Sequence, residues 1–248
     1  MSEHIEIGRA DGVLTIRMNR PDKKNALTRA MYEAMTGAIA AAEAEDAIGC
    51  ILFAGLPGAF CAGNDLADFM EIAKGGGLPT EVRGFLHALA CAEKPVFAAV
   101  DGLAIGIGTT LLFHCDLVLA TPRSEFRTPF VDLGLTPEAG SSLIAPRLMG
   151  SQRAFQMLAM GRPFDAAFAR ECGFVTEIVE EDVDGSGHKA ARAVADKPRE
   201  AVMLTKRLIR GDRADLLARI DEEIEIFAGR LTSKEAMAAF QAFFSRKG

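Results

Sequence analysis

The sequence has no excess of basic residues, and this absence bears on its partners. Its 34 Asp and Glu outnumber its 28 Lys and Arg, so the formal net charge is −6. Nucleic acids and anionic membranes attract concentrated positive charge. The composition therefore predicts that neither is the main partner, although a few cations and backbone N–H groups can still hold a small anion.

Long apolar runs and regular cysteine spacings are also missing. No apolar run is long enough to cross a bilayer, and the first residues lack the cationic and apolar segments of a signal peptide. The five cysteines are odd in number and share no metal-ligand spacing. We therefore expect a cytoplasmic protein with free thiols and without a metal or redox cofactor.

The residues that are present indicate an α/β protein. Hydrophobic residues make up 49% of the chain and charged residues 25%, as in ordinary globular domains. Short β-type runs alternate with helical patterns up to about residue 140, which predicts a mostly parallel sheet. A hairpin is predicted around Asp11-Gly12, buried strands at 50–54, 95–100 and 116–120, and one later strand at 174–179. The helices are predicted at 29–45, 66–73, 80–92, 140–149, 151–160, 165–171, 185–195, 198–210, 213–229 and 232–245.

Two turns rich in small residues are candidates for binding a carbonyl oxygen. Ala62-Gly63 and Gly106-Ile107-Gly108 each lie between a predicted strand and a predicted helix. Small residues allow a ligand to approach the main chain closely, and two converging N–H groups can stabilise an oxyanion. On spacing alone, ordinary tight turns are the more common explanation, because such turns abound in α/β folds.

Several motifs in a fixed order resemble the crotonase (enoyl-CoA hydratase/isomerase) superfamily over most of the chain. They are Arg20-Pro21 with Asn25-Ala26-Leu27, then residues 60–66, 94–102, 104–112 with Cys115-Asp116, and 126–140. The resemblance implies a ββα spiral core over residues 1–190. It also implies a C-terminal helical trimerisation region over 191–248 that does not fold independently. The implied ligand is a coenzyme A thioester, with coenzyme A as part of the substrate, and the implied assembly is a trimer or a dimer of trimers.

Carried over by position, the resemblance assigns the two oxyanion donors to the backbone N–H groups of Ala62 and Ile107. Many family members have glycine at the second position, so Ile107 would place a bulky side chain near the acyl path. The two glutamates of the hydratases correspond to Thr110 and Phe130, and neither side chain can do acid–base chemistry at neutral pH. The resemblance therefore argues against an efficient hydratase.

Glu138 is the candidate catalytic base. Residues 127–142 resemble the Δ3,Δ2-enoyl-CoA isomerases, in which one glutamate at this position suffices to move a proton from C2 to C4. Locally, however, Thr136-Pro137-Glu138 is typical of a helix start, where the helix dipole would lower the pKa of an acid. Burial among apolar neighbours would raise it instead, as a base for a weakly acidic C–H requires.

The resemblance also implies a set of residues that bind the substrate and its coenzyme A portion. They are Lys24, Ala26, Cys61, Gly63, Asp65, Leu66, Gly106, Phe130, Leu135, Phe244 and Lys247. For Lys24 and Lys247 a solvent-exposed position without a ligand is the simpler interpretation, and Asp65 can equally cap the helix predicted to begin beside it.

Other titratable residues are predicted to have structural roles. His87 and His114 are isolated histidines in apolar segments, and Glu125 and Asp132 are predicted on exposed loops. Two alternatives to the isomerase stay open. One is a hydratase or another crotonase-type activity, and the other is a non-catalytic acyl-CoA-binding or scaffold protein.

Overall fold

The computed structural model describes residues 2–68 and 80–245, and it contains two sheets. The six strands of the larger sheet are β1 (Ile5–Ala10), β2 (Val13–Met18), β3 (Cys50–Ala54), β5 (Val96–Val100), β7 (Leu117–Ala120) and β10 (Glu177–Ile178). They lie in the order β1-β2-β3-β5-β7-β10. Strands β1 and β2 form an antiparallel hairpin, and the other neighbours are parallel, as predicted.

The smaller sheet was not predicted from the sequence. Its four strands lie in the order β4-β6-β8-β9 and span β4 (Ala59–Cys61), β6 (Leu103–Ile105), β8 (Glu125–Arg127) and β9 (Phe164–Asp165). Strands of two or three residues are too short to show a period of two, so no pattern reveals them. Glu125 is exposed as predicted, but it lies in β8 rather than in a loop.

The two sheets together form the ββα spiral that the sequence predicted. Strands β3, β5 and β7 of the larger sheet are each followed by a strand of the smaller sheet and then by a helix. Every residue of β3 and β5 is buried, because parallel strands are covered on both faces. Each passage from the larger to the smaller sheet leads to a turn at the end of a short strand, and these turns form the candidate site.

Ten α-helices lie wholly within the described residues, and most begin and end within two residues of their predicted bounds. They are α1 (Arg29–Ala44), α2 (Thr80–Cys91), α3 (Ile107–Thr110), α4 (Ser141–Met149), α5 (Ser151–Leu158), α6 (Ala166–Glu171), α7 (Val183–Ala195), α8 (Arg199–Arg210), α9 (Ala214–Leu231) and α10 (Lys234–Ser245). Residues 66–68 are helical, while the rest of the helix predicted at 66–73 lies outside the described residues. The strand predicted at 174–179 is shorter and includes only Glu177–Ile178. Within the described ranges, no helix has both the length and the apolar character needed to cross a membrane.

The C-terminal helices share the core of the spiral. Helix α7 covers one face of the larger sheet, and a methyl group at Gly187 would lie 3.0 Å from Cβ of Ala99. Helices α9 and α10 contribute Ile220, Phe227 and Phe240 to the main hydrophobic core. The predicted division between residues 190 and 191 therefore falls inside a helix that packs on the sheet.

Candidate active site

The first turn follows β4, and the structure contradicts the prediction for one of its residues. The N–H of Ala62 donates a hydrogen bond to the carbonyl of Lys24 at 3.0 Å. A donor that is already used within the protein cannot also hold the oxygen of a ligand. The prediction that Ala62 supplies an oxyanion donor is therefore wrong in this structure.

The available donor of this turn is two residues further on. Leu27 forms a short bridge beside the turn: its N–H donates to Gly63 at 2.8 Å, and its carbonyl accepts from Asp65 at 2.9 Å. Between these two bonds the N–H of Asn64 has no acceptor among residues 2–68 and 80–245. The hydroxyl of Tyr32 donates to the Asn64 side-chain oxygen at 2.5 Å and holds the residue in place. The motif located the turn, but only the bridging pattern reveals which N–H it leaves available.

The second turn lies at the start of α3, where Gly106 has a φ of 57° that favours glycine. The N–H of Gly106 donates to Arg127 at 2.8 Å. In the described part of the chain the next N–H, that of Ile107, has no acceptor, as expected for the first residue of a helix. The Ile107 side chain itself is fully buried in the main core.

The two turns are adjacent in space. A methyl group at Gly106 would lie 3.9 Å from Cα of Gly63 and 3.8 Å from the Phe130 ring. Phe130 is buried and packs edge-to-face on Phe227, with ring centroids 6.4 Å apart. Two available backbone donors and an aromatic wall therefore meet at one place.

Glu138 lies before a helix, whereas the local sequence pattern predicted that it would be at the start of that helix. Helix α4 begins at Ser141, after Gly140 in the left-handed conformation, so Glu138 is not a helix cap. Glu138 is buried, with only 4% of the residue exposed to solvent. The Thr110 hydroxyl donates to Oε1 of Glu138 at 2.5 Å, whereas Oε2 has no hydrogen-bond partner among the described residues.

Burial dominates the electrostatics of this carboxyl. Desolvation raises the pKa of Glu138 to about 8, the hydrogen bond from Thr110 opposes the shift, and the charge of Glu223 adds to it. Desolvation also raises the pKa of Tyr32 and of Cys61, and in both cases the charge of Glu138 contributes. Glu138 therefore shares a buried environment with Tyr32 and Cys61.

Glu138 and Glu223 are the buried glutamates among the described residues, 4% and 5% exposed. Glu223 accepts hydrogen bonds from the N–H groups of Gly140 at 2.6 Å and Ser142 at 2.9 Å, so both of its oxygens are engaged. Glu223 was not among the functional residues predicted from the sequence. A signal was nonetheless present, because this glutamate lies on the same helix face as Ile220 and Phe227, where an apolar residue is expected.

The predicted binding residues that the structure describes differ in their exposure to solvent. Cys61, Gly63, Gly106, Phe130 and Leu135 are buried, Ala26 and Leu66 are half-buried, and Lys24 is exposed. The side chain of Phe244 and the whole of Lys247 lie outside the described residues.

Asp65 caps the short helical segment beside the first turn, one of the two roles that the sequence allowed. Its Oδ1 accepts from the N–H of Ala67 at 2.9 Å. Arg20 also donates to Asp65 at 2.7 Å and to the carbonyl of Ala26 at 2.9 Å. Asp65 is therefore bound within the protein, and Arg20 ties its segment to the first turn.

The two isolated histidines have protein partners, as predicted. His87 lies 3.0 Å from Asp221. His114 is buried, and desolvation lowers its pKa to about 4, so the ring is neutral at physiological pH. Its Nε2 lies 2.7 Å from the carbonyl of Ala139, which can only accept, so this nitrogen carries the proton. Asp132 is exposed as predicted, but it lies in the 3-10 helix Val131–Leu133 rather than in a loop. It pairs with Arg127 at 2.9 Å.

Comparison with known proteins places this site in a family context. The family model described as Enoyl-CoA hydratase/isomerase matches residues 8–247. Enoyl-CoA delta isomerase 2 of Rattus norvegicus is 34% identical over 99% of this chain, which spans 64% of that relative's length. A probable enoyl-CoA hydratase of Rhizobium meliloti is 32% identical over 92% of this chain and 90% of its own. The solved structure of Pseudomonas aeruginosa OdaA superposes with a TM-score of 0.92, at 43% identity over 98% of this chain and 99% of its own.

Proposed function

Since this chain belongs to the enoyl-CoA hydratase/isomerase family, we propose that it moves a double bond in an acyl-CoA thioester from C3 to C2. The observation that carries this proposal is the state of Glu138. It is a buried carboxyl with one oxygen that has no partner among the described residues. Its other oxygen accepts from Thr110, which lies on the helix whose first N–H, that of Ile107, is available. A curated relative with an isomerase name supports the same activity.

The two turns would hold the thioester oxygen. In this proposal, the N–H groups of Asn64 and Ile107 donate to the oxygen as it gains negative charge. Donors fixed in a site that excludes water stabilise such a charge strongly, and losing one typically costs about 3 kcal/mol of the barrier. Ile107 keeps the role predicted for it, and Asn64 replaces Ala62.

Glu138 would carry the proton. Its carboxylate takes a proton from C2 of the 3-enoyl thioester, and the electrons of that C–H bond delocalise into a dienolate over the oxygen and C1 to C4. The protonated Glu138 then returns the proton to C4, so the double bond ends between C2 and C3. A pKa near 8 suits this task, because a carboxylate that is costly to ionise is a stronger base.

The same residues disfavour addition of water. Hydration across a conjugated double bond needs water activation and proton delivery at once. Thr110 donates to Glu138 and Phe130 is apolar, so neither supplies a second acid. A site with one proton carrier fits isomerisation better than hydration.

We further propose a homo-oligomer, a trimer or a dimer of trimers, as the working assembly. Helix α8 exposes large apolar side chains, with Leu208 84% and Ile209 77% accessible. Surfaces of this kind are usually covered by another chain. Sedimentation equilibrium would measure the assembly, and a monomer at micromolar concentration would contradict it. A cytoplasmic location and a role in fatty-acid breakdown accompany this proposal.

The activity test uses purified protein and a short 3-enoyl-CoA, with the absorbance of the conjugated 2-enoyl thioester as the readout. Glu138→Gln should lower turnover by at least about a hundredfold, as expected when a general base is removed. The matched control is Glu125→Gln, the same substitution at an exposed carboxylate. Wild-type turnover by Glu138→Gln would exclude Glu138 as the base.

Two further measurements separate the alternatives. Water addition to crotonyl-CoA at a rate that matches isomerisation would favour the hydratase. Calorimetry with an acyl-CoA would show binding without turnover if the protein is a scaffold, and no binding would contradict both enzyme proposals.

A further inference from the structure

The loop that carries Glu138 has an unfavourable backbone. Ala139 has a φ of 62° and Gly140 a φ of 67°, so two consecutive residues are left-handed. This conformation is costly for a residue with a Cβ, and it persists only where the surroundings hold it. The direction of the Glu138 side chain therefore depends on contacts made to this loop.

Glu223 makes two of these contacts. Its Oε2 accepts from the N–H of Gly140 at 2.6 Å, and its Oε1 accepts from the N–H of Ser142 at 2.9 Å. These N–H groups belong to the start of α4, where helix geometry leaves donors without partners. A bidentate carboxylate thus fixes the chain two residues after Glu138.

Helix α9 delivers this carboxylate from a fixed position. Ile220 and Phe227, one turn before and after Glu223, are buried in the main core. On another face, Asp221 pairs with Arg83 at 2.8 Å and with His87 at 3.0 Å, both on α2. The helix is therefore held independently of the loop that it supports.

Glu223 also offsets the positive charge at the start of α4. The start of α4 carries the positive end of the helix dipole, and an anion there is stabilised. Because Glu223 compensates this end, the dipole has less effect on Glu138.

The groups that face these two carboxylates come from several elements. Thr110 of α3, Tyr32 of α1, Cys61 of β4 and Glu223 of α9 act on Glu138 or are acted on by it. Burial raises the pKa of Glu223, whereas the hydrogen bonds from Ser142 and Gly140 and the charge of Arg219 oppose this shift.

We propose that Glu223 is a positioning residue for Glu138: it fixes the catalytic loop and keeps the base from being weakened by the α4 dipole. This inference rests on the proposed role of Glu138 as the base. It links the C-terminal helices to the chemistry through one side chain.

The test compares Glu223→Gln and Glu223→Asp with the control Glu222→Gln. Glu222 is the neighbouring glutamate, exposed and paired with Arg219 at 2.9 Å. The measurement is kcat for the 3-enoyl-CoA as a function of pH. If Glu138 is the base, the wild-type kcat should rise with pH as Glu138 loses its proton.

Glu223→Gln removes a negative charge and replaces one acceptor by a donor. We expect its ascending limb to move to lower pH by about half a unit, and its plateau to fall about tenfold. Glu223→Asp keeps the charge but shortens the side chain, so its limb should stay while its plateau falls. The Glu222→Gln profile should overlay the wild type.

Two outcomes would overturn the proposal. One is a Glu223→Gln profile whose limb and plateau match the wild type, and the other is an equal shift of the limb in Glu222→Gln. A plateau that falls in both Glu223 variants without any limb shift in Glu223→Gln would reduce Glu223 to a structural role and also contradict it.

A readout that needs no turnover separates this inference from the proposed function. The infrared carboxyl band that disappears in Glu138→Gln can be titrated with and without Glu223→Gln. If the wild type does not isomerise the thioester, the proposed function fails, but the midpoint of this band should still move to lower pH. An unchanged midpoint would contradict the link between Glu223 and Glu138.

Discussion

The Thr110 hydroxyl donates to Oε1 of Glu138 across 2.5 Å, although the two residues are 28 positions apart. By the resemblance to the crotonase superfamily, Thr110 corresponds to one of the two hydratase glutamates. The structure thus joins the position of a missing acid to the acid that remains. The hydrogen bond occupies one oxygen of Glu138 and leaves Oε2 without a partner among the described residues, so it orients the carboxylate as well as stabilising its charge.

Removing this hydrogen bond should make Glu138 harder to ionise. The bond lowers the pKa of Glu138 against the effect of burial. Thr110→Val keeps the shape and loses the donor, so the ascending limb of the kcat profile should move to higher pH by about one unit. At pH 7 the rate should fall accordingly. Thr205→Val, the same change on exposed helix α8, is the control, and a limb that moves to lower pH in Thr110→Val would contradict this account.

The pair formed by Tyr32 and Asn64 should affect the rate rather than the binding of substrate. The Tyr32 hydroxyl donates to the side chain of Asn64, whose backbone N–H we propose as an oxyanion donor. The ring of Tyr32 packs on that of Phe85, with centroids 5.4 Å apart. Tyr32→Phe retains the ring contact and removes only the hydrogen bond. We expect kcat to fall about fivefold, with KM nearly unchanged, because one hydrogen bond is worth about 1 kcal/mol.

A double-mutant cycle tests the same pair from both sides. Asn64→Ala removes the same bond, so the effects of Asn64→Ala and Tyr32→Phe should not add. Additive losses of kcat would mean that the two residues act independently.

The larger sheet could be predicted from the sequence, whereas the details of the site could not. Strands β3 and β5 appear as short apolar runs because both of their faces are buried. The smaller sheet has strands too short for any period. At Glu138 the local triplet indicates a helix cap, yet the carboxylate that caps α4 is Glu223, which lies 83 residues from Gly140. Local pattern cannot reveal a cap that arrives from another helix.

The backbone N–H groups available to a ligand could not be predicted from local sequence either. A backbone N–H is identified as available only after its neighbours have been paired. The sequence located the turn after β4, but the bridge made by Leu27 decides that Ala62 is used and Asn64 is not. Residue type carries no information about this choice.

Glu138 should cost stability at alkaline pH. Its pKa is about 8 in the folded protein, above the ordinary value of 4.5. Between these values the unfolded chain is ionised while the folded one holds its proton, so folding loses stability as pH rises through this window. Glu138→Gln removes the loss, and its free energy of unfolding should exceed that of the wild type by a few kcal/mol above pH 8.

Urea unfolding at pH 5 and pH 9 measures this difference. The gain should be small at pH 5 and large at pH 9. The exposed control Glu125→Gln should show no such dependence, and an equal gain for Glu138→Gln at both pH values would contradict the raised pKa.

His114 should produce the opposite dependence at acid pH. Its pKa is about 4 in the folded protein, because burial opposes the charged ring, against 6.5 ordinarily. Between these values the unfolded chain binds a proton that the folded chain does not. The contribution of neutral His114 to the free energy of unfolding is therefore fully present above pH 6.5. It is lost as pH falls toward 4, by up to about 3 kcal/mol.

The variant His114→Leu tests this titration together with the contact to the catalytic loop. It should abolish the part of the acid destabilisation that comes from His114, so its free energy of unfolding should vary less with pH than that of the wild type between pH 6.5 and 4. It should also lower kcat at neutral pH, because the carbonyl of Ala139 loses its donor and the left-handed loop beside Glu138 loosens. The exposed residue His188, which lies 3.2 Å from Asp11, provides the control through His188→Leu. If His114→Leu retained the wild-type kcat, the hydrogen bond to Ala139 would have no part in positioning the base.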